Sequence, residues 1–387
     1  MASPIGSQRN RIKILIVDDS AVMRRCIHNA LITHADLEVI GTANNGAAAV
    51  AFVQRTRPDI IILDIEMPIM DGIAALREIR KSDWSLPIIM FSSLTQAGTQ
   101  TTLTALTEGA SDYVGKPENT RDVQEFLTTL QQTLIPKIRD LCSNMRLKRE
   151  SIPRLLTNTK TSGLATPHPD SKPVTAQEFT VSSRDRLYPE PIDAVCIGAS
   201  TGGPAALVKL FSGWPEPLKI PVFIVQHMPA QFTGLLAKKL TSVGGMPVKE
   251  AIHGEVTVAG CAYLAPGGFH LTVENIGGQI FTHLNQDRPE NFCRPSVDAL
   301  FRSAAKVFGR RLLGVVLTGM GSDGMLGSQN IIQAHGQIMA QDQTTSLIWG
   351  MPGAVVRAGF AQKILPLGDM HYEISLMASR ARSSAQG

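Results

Sequence analysis

The sequence predicts two α/β domains, each built on a parallel sheet and joined by a flexible linker. Short apolar runs recur along the chain and stop abruptly at Asp, Ser or Gly, with segments of helical spacing between them. Strands buried on both faces and covered by helices give that pattern. It occurs twice, over residues 11–134 and again over 191–385, with residues 135–190 between them. A chain of 387 residues is also too long for one ordinary core.

In the first domain the strands are residues 13–17 (KILIV), 59–63 (DIIIL), 87–91 (PIIMF) and 112–114. Residues 22–31 and 72–80 carry the helical spacing. The composition shifts near Ile135, where a charged helix can extend to Glu150. From Ser151 to Pro191 the chain is rich in Ser, Thr, Pro, Lys and Arg. Such a stretch cannot bury enough apolar surface to offset its ordering entropy, which predicts a linker. Order resumes with a buried strand at 192–197, ending in Gly198, and a second at 222–225. A helix follows at 232–240, then short strands at 262–264 and 271–273. The apolar run 312–317 leads into a glycine-rich loop and a further helix. No repeat of solenoid length is present.

Hydrophobic residues make up 43% and charged residues 18%, as in a soluble globular protein. The formal net charge is only +4 and is not gathered into a basic block, which argues against nucleic-acid binding. The opening MASPIGSQRNRIK has no apolar signal-peptide core, and no apolar run is long enough to span a bilayer. The cysteines, Cys26, Cys142, Cys196, Cys261 and Cys293, are scattered without a Cys-x-x-Cys pair. Free thiols in a reducing cytoplasm fit that usage better than a structural zinc site.

Three carboxylates follow strands in the first domain: Asp18 and Asp19 after the first, Asp64 after IIIL. The carboxyl ends of parallel strands form the binding crevice of an open sheet. Clustered carboxylates repel one another there, and a hard cation with oxygen ligands relieves the repulsion; Mg²⁺ is the natural choice. Ser92 offers a hydroxyl to a phosphoryl oxygen and Lys116 a point charge. The plainer alternative is that Asp18 and Asp19 cap the helix beginning near Ala21 while Asp64 opens a turn. The segments VDDSAVMRR, LDIEMPIMDG, MFSSLT and DYVGKP closely resemble response-regulator receiver domains. That resemblance implies a flavodoxin-like (CheY-like) fold, with Asp64 accepting phosphate from a histidine kinase. It also implies that Asp18 and Asp19 help hold Mg²⁺, that Lys116 contacts the phosphoryl group, and that Ser92 and Tyr113 are the switch pair.

In the second domain Gly198-Ala199-Ser200-Thr201-Gly202-Gly203 lies between a strand and a helix. A serine on such a turn is exposed, and the adjacent N–H groups favour developing negative charge. The same kind of turn can cradle a dinucleotide. Here, however, Ser200 stands where the second glycine of that fingerprint belongs. The next strand ends in Gln226-His227 rather than in the acid that would hold a ribose. His227 therefore reaches the same sheet edge as Ser200, and Asp323 in the loop TGMGSDG supplies a carboxylate. Nucleophile, base and orienting acid make a serine triad. Taken alone, Asp323 reads equally as a helix cap, and His227 as a satisfied core histidine.

The motifs GASTGG, QHMP, LAPGGFH, RPSVD and LTGMGSDG resemble the catalytic domain of the chemotaxis protein-glutamate methylesterase (CheB) family. The resemblance, and the order receiver, linker, esterase, extend over almost the whole chain. They imply a doubly wound Rossmann-like esterase domain and hydrolysis of glutamate γ-methyl esters on methyl-accepting chemoreceptors, with deamidation of certain glutamines. Ser200 is then the nucleophile, His227 the base and Asp323 its partner. Met320 is then an oxyanion donor, and no metal is needed in that site; Thr201, the residue after the nucleophile, is a second donor on general grounds. The expected partners are chemoreceptors and a chemotaxis histidine kinase, without nucleic acid or membrane insertion. His270 is a candidate substrate-side residue, Ser296 a helix cap, and Arg294 a contact for an acidic receptor segment or merely a solvated side chain. The rival readings are a nucleotide-gripping module without chemistry and a DNA-binding regulator.

Overall fold

The structure, a computed structural model, describes residues 11–93, 95–116, 123–150 and 191–379. The linker expected over 151–190 lies outside them, as does Pro117. The first domain runs β1 (Ile12–Val17), α1 (Ala21–Ile32), β2 (Leu37–Ala43), α2 (Gly46–Thr56), β3 (Ile60–Asp64) and α3 (Gly72–Ser82). It continues with β4 (Ile88–Ser92), α4 (Gln96–Thr107), β5 (Asp112–Gly115) and α5 (Val123–Glu150). All neighbours in its sheet are parallel, in the order β2-β1-β3-β4-β5. The chain leaves β1 in one direction and returns on its other side as β3, so a crevice opens between the carboxyl ends of those two strands. Asp18, Asp19 and Asp64 sit there. The cap of α1 is Ser20, whose Oγ accepts from Met23 N at 3.3 Å, so neither aspartate is used as the cap.

Residues 135–150 are not linker. They continue α5, and Ile135, Ile138, Leu141 and Cys142 are buried in the apolar cluster built on β1, β3 and α1. Their helical spacing keeps one face of α5 on that cluster well past residue 134.

The second domain begins with β6 (Ala194–Ala199), α6 (Gly203–Ser212), β7 (Val222–Gln226), α7 (Ala230–Val243), β8 (Val248–Glu250), β9 (Glu255–Val256) and β10 (Ala262–Leu264). A hairpin follows, β11 (His270–Ile276) and β12 (Gln279–Asn285), then α8 (Val297–Phe308), β13 (Leu312–Val316) and α9 (Met325–Gln333). The chain closes with β14 (Gln337–Gln341), α10 (Met351–Arg357), β15 (Lys363–Leu365) and α11 (Leu367–Ser379). Seven strands form a parallel sheet in the order β15-β14-β13-β6-β7-β10-β8.

One expected strand belongs to a different kind of sheet. The run at 271–273 is part of β11, which pairs antiparallel with β12 in a separate small sheet. Gly277 and Gly278, at φ 61° and 87°, form the two-residue turn that joins them, a conformation available to glycine without cost.

The two domains touch. Helix α4 packs against α6 and α7, and apolar residues of both domains share one cluster. Among the described residues no helix is long and apolar enough to cross a membrane.

The course of α5 can be tested directly. Ile138→Ala removes a fully buried side chain and should lower the first domain's stability by about 2–4 kcal/mol in denaturant unfolding. A linker residue at that position would give no shift.

Candidate functional site

In the second domain's sheet β13, β6 and β7 are neighbours, so the loops after them meet on one edge. Ser200 follows β6, His227 follows β7, and Asp323 lies in the loop after β13. The loops are tied together by backbone: Ser200 N donates to Thr318 O at 3.0 Å, and His227 N to Ala199 O at 3.1 Å. Glycine permits the closest approach. A Cβ on Gly319 would lie 2.8 Å from Ser200 Cβ, inside van der Waals contact. Buried Gln226 adds a side-chain tie, donating from Nε2 to Ser200 O at 3.0 Å and His227 O at 3.2 Å.

His227 Nε2 meets Asp323 Oδ2 at 2.7 Å. That carboxylate is the most heavily bonded group of the site. Oδ2 also accepts from Val297 N at 2.7 Å, while Oδ1 accepts from Ser296 Oγ at 2.8 Å, Asp298 N at 3.1 Å, Gly324 N at 3.0 Å and Asn291 Nδ2 at 3.0 Å. Two of these donors are the first N–H groups of α8, so Asp323 occupies the anion site at that helix's N-terminus. Ser296 is at the N-cap position, but its hydroxyl makes no cap bond and serves Asp323 instead.

Burial raises Asp323, but the hydrogen bond and charge of His227, with help from Val297 N and Ser296, more than offset it and bring it down to about 2. Burial likewise works against a charged His227, yet the bonds to Asp323 and Cys293 push it up to about 9. Cys293 Sγ lies 3.5 Å from His227 Nδ1. Ser200 Oγ makes no hydrogen bond to the ring among the described residues, a separation common before substrate arrives. Neither Thr201 N nor Met320 N is taken by a hydrogen bond among the described residues. Met320 is 43% exposed on the loop facing Ser200.

In the first domain Asp18, Asp19 and Asp64 each place an oxygen within 4.8 Å of the others. Asp18 and Asp64 are buried. Lys116 Nζ reaches Asp64 Oδ1 at 2.7 Å and Asp18 Oδ2 at 3.2 Å. Asp18 Oδ2 accepts no hydrogen bond beyond that charge contact. Burial raises Asp64 above the usual carboxylate range despite Lys116. An all-oxygen set with a buried, under-satisfied carboxylate fits a hard cation such as Mg²⁺. Ser92 is buried nearby, its Oγ donating to Ser93 O at 3.0 Å.

Tyr113 faces the other domain. Its ring lies 4.9 Å from that of Phe232 on α7. Its neighbour Asp112 is paired with Lys137 at 2.7 Å and accepts from Thr201 Oγ1 at 3.4 Å. The residue after Ser200 is therefore touched by the receiver's β5.

Two residues that the sequence offers for substrate contact are placed elsewhere by the geometry. His270 is buried, accepting from Ser296 N at 3.2 Å and meeting Arg288 O, so it braces the loop before α8 rather than facing substrate. Arg294 donates to Gln286 O and Asp287 O, holding its own loop. Sequence reasoning missed Asn291, Gln226 and Cys293, whose roles depend on contacts distant in sequence.

The arrangement is matched by known proteins. The CheB methylesterase family model matches residues 195–374, and the response regulator receiver domain model residues 14–128. A protein-glutamate methylesterase/protein-glutamine glutaminase of Trichodesmium erythraeum is 43% identical over 94% of this chain and 98% of its own length. The chain belongs to the protein-glutamate methylesterase family. A relative of the same name from a Nocardioides species is 44% identical over 96% of this chain and 97% of its own. The crystal structure of the Thermotoga maritima CheB methylesterase catalytic domain is 36% identical, covering 48% of this chain and 98% of that one at a TM-score of 0.47. Family membership accounts for the paired architecture, a CheY-like receiver and a CheB catalytic domain.

The His227–Asp323 pair should be visible in stability against pH. Asp323, held down to about 2, contributes above the ordinary carboxylate range and loses that contribution as pH falls toward 2. His227, held up to about 9, contributes fully below its ordinary range and loses that as pH rises through 9. The melting temperature of the catalytic domain should therefore drop by a few degrees between about pH 6.5 and 9. Asp323→Asn should flatten the drop, and an equal drop in that variant would exclude the pair as its cause.

Proposed function

We propose that this chain hydrolyses glutamate γ-methyl esters on chemoreceptors, deamidates receptor glutamines at the same site, and is switched by phosphorylation of Asp64. The observation that carries the reading is the buried His227–Asp323 pair, at 2.7 Å, on the strand edge that holds Ser200. The relatives' printed names, methylesterase and glutaminase, describe two acyl transfers that one such site can perform.

Asp323 accepts from Nε2, so in the neutral ring Nδ1 is the nitrogen left to take a proton; with His227 pushed up to about 9, that neutral form gains population, and the reaction speed, as pH rises toward 9. Ser200 Oγ attacks the ester carbonyl as its proton passes to Nδ1, and Asp323 stabilises the resulting imidazolium. The oxyanion is placed against the unused N–H groups of Thr201 and Met320. The imidazolium protonates the departing methoxide oxygen, releasing methanol and leaving a γ-glutamyl ester on Ser200. Water then enters, gives its proton to Nδ1 and attacks the acyl carbon, freeing the glutamate and restoring Ser200. With a glutamine side chain, ammonia leaves in the first step instead.

In the receiver, Asp18, Asp19 and Asp64 are the residues that would hold Mg²⁺. Bound there, the ion neutralises the carboxylate cluster and the incoming phosphoryl oxygens. A chemotaxis histidine kinase is the expected donor and Asp64 Oδ the acceptor. Lys116 and Ser92 take the phosphoryl oxygens, which draws Ser92 inward and Tyr113 after it. Tyr113 then leaves Phe232, and Asp112 releases Thr201, opening the crevice beside Ser200. In this reading the unphosphorylated receiver is the inhibitor.

Ser200→Ala should cut methanol release from methylated receptor membranes by at least about a thousandfold. Its thermal stability should stay within about 1 kcal/mol of the parent. Full activity in that variant would remove Ser200 from the mechanism.

Asp112→Ala should raise methanol release by the unphosphorylated chain about fivefold, the equivalent of about 1 kcal/mol of docking. It should also shrink the stimulation given by a small phosphodonor with Mg²⁺. Asp64→Asn should abolish that stimulation altogether. Basal rates unaltered by Asp112→Ala would show that the Thr201 contact does not hold the domains closed.

A further inference from the structure

The histidine of the esterase site has a second neighbour that the reaction does not use. His227 Nδ1, the nitrogen left free by Asp323, faces Cys293 Sγ at 3.5 Å. Cys293 is thus one member of a constellation of nucleophile, base and orienting carboxylate, not an isolated thiol. The contact is held from two directions. Glu290 and Cys293 exchange backbone bonds at 3.1 and 2.8 Å, closing a tight turn. Asn291 in that turn, at φ 50°, anchors through Nδ2 to Asp323 Oδ1 at 3.0 Å and Asp298 Oδ2 at 2.9 Å. The carboxylate that orients the imidazole therefore also holds the loop that presents the sulfur to it.

Access separates this thiol from most of the others. Cys142, Cys196 and Cys261 are buried, whereas Cys293 and Cys26 are partly exposed. Burial also raises Cys196 and Cys261 out of the range in which a thiol ionises readily. Of the two accessible thiols, Cys293 is the one with a histidine at hydrogen-bond distance among the described contacts.

We propose that Cys293 is a reactive thiol that forms a mixed disulfide with low-molecular-weight disulfides, and that this adduct shuts the esterase off. In the neutral form of the ring the thiol passes its proton to His227 Nδ1, and the thiolate sulfur attacks one sulfur of the small disulfide. A new S–S bond forms to Cys293 as the old one breaks, and the departing thiolate takes the proton from Nδ1. No further oxidant is needed. The adduct then stands where Ser200 must deliver its proton, so base and nucleophile are separated. Even without an adduct, Cys293 and Ser200 compete for the same nitrogen. The loss of esterase activity rests on the reading of His227 as the base; the chemistry at sulfur does not.

The test uses the full chain with glutathione disulfide at neutral pH, followed by peptide mass mapping. The adduct at Cys293 should form at least about tenfold faster than at Cys26, because a base lies against its sulfur. His227→Gln should remove the advantage, while Ser200→Ala should keep it. Protection of Cys142, Cys196 and Cys261 in each variant reports that it is folded. Methanol release should fall in step with the adduct and return with dithiothreitol. Equal labelling of Cys293 and Cys26, or an advantage that survives His227→Gln in a folded protein, would overturn the reactive thiol. An adduct formed at the expected rate with methanol release unchanged would overturn the shut-off. A chain that releases no methanol before treatment would count against the esterase reading alone, with the labelling rates still deciding the thiol.

Discussion

The catalytic domain is organised around one buried carboxylate. Asp323 accepts from His227, from Ser296 and Asn291 side chains, and from the backbone of Val297, Asp298 and Gly324. An unpaired buried carboxylate costs several kcal/mol, so the site persists because those donors are preorganised on the end of a helix. Small residues make that possible. Val297, the first residue of α8, would collide with a Cβ at Gly198, at 2.4 Å, and would crowd one at Gly324, at 3.0 Å. Glycine at both positions lets α8 descend onto the ends of β6 and β13, and its N-terminus meets the catalytic edge.

The same contact ties helices α8 and α9 together in both directions. Asp323, just before α9, receives the first N–H groups of α8, while Asp298 in α8 accepts from Gly327 N in α9 at 2.6 Å. The two carboxylates lie close, sharing the Asn291 amide between them. Burial and the charge of Asp323 push Asp298 up to about 6, whereas His227 holds Asp323 near 2. The environment thus assigns the charge to the carboxylate that faces His227. The packing of α8 on α9 and the His227–Asp323 pair draw on one network, which reaches well beyond those two residues.

The link between the domains is of a different kind. It includes an aromatic contact, Tyr113 on Phe232, a long hydrogen bond from Thr201 to Asp112, helix packing of α4 on α6 and α7, and apolar residues of both domains sharing buried clusters. A shift of about 1.4 kcal/mol in such docking changes a minor open population tenfold. Tyr113 and Asp112 both lie on β5, so one strand of the receiver touches Phe232 and Thr201.

Much of this was legible in the chain itself, for a local reason. Asp18, Asp19, Asp64, Ser200 and His227 each stand directly after an apolar strand, and strand ends on a parallel sheet face one crevice. Those positions follow from pattern and the chirality of βαβ units, without knowledge of distant contacts. The helix running to Glu150 was legible too, but not that Ile135, Ile138, Leu141 and Cys142 pack it onto the first domain rather than leaving it in the linker. Other features had no local signal. Ser296 reads as a cap, yet its hydroxyl serves a carboxylate 27 residues away. His270 reads as a site residue, yet it braces a loop, and Cys293 reads as one scattered thiol, yet it lies against a histidine 66 residues away. Sequence alone marked the strands whose ends carry these residues, because that pattern depends on near neighbours. Only the tertiary structure decided which loops meet the base, because hydrogen bonds between distant segments exist only once the sheet has brought the loops together.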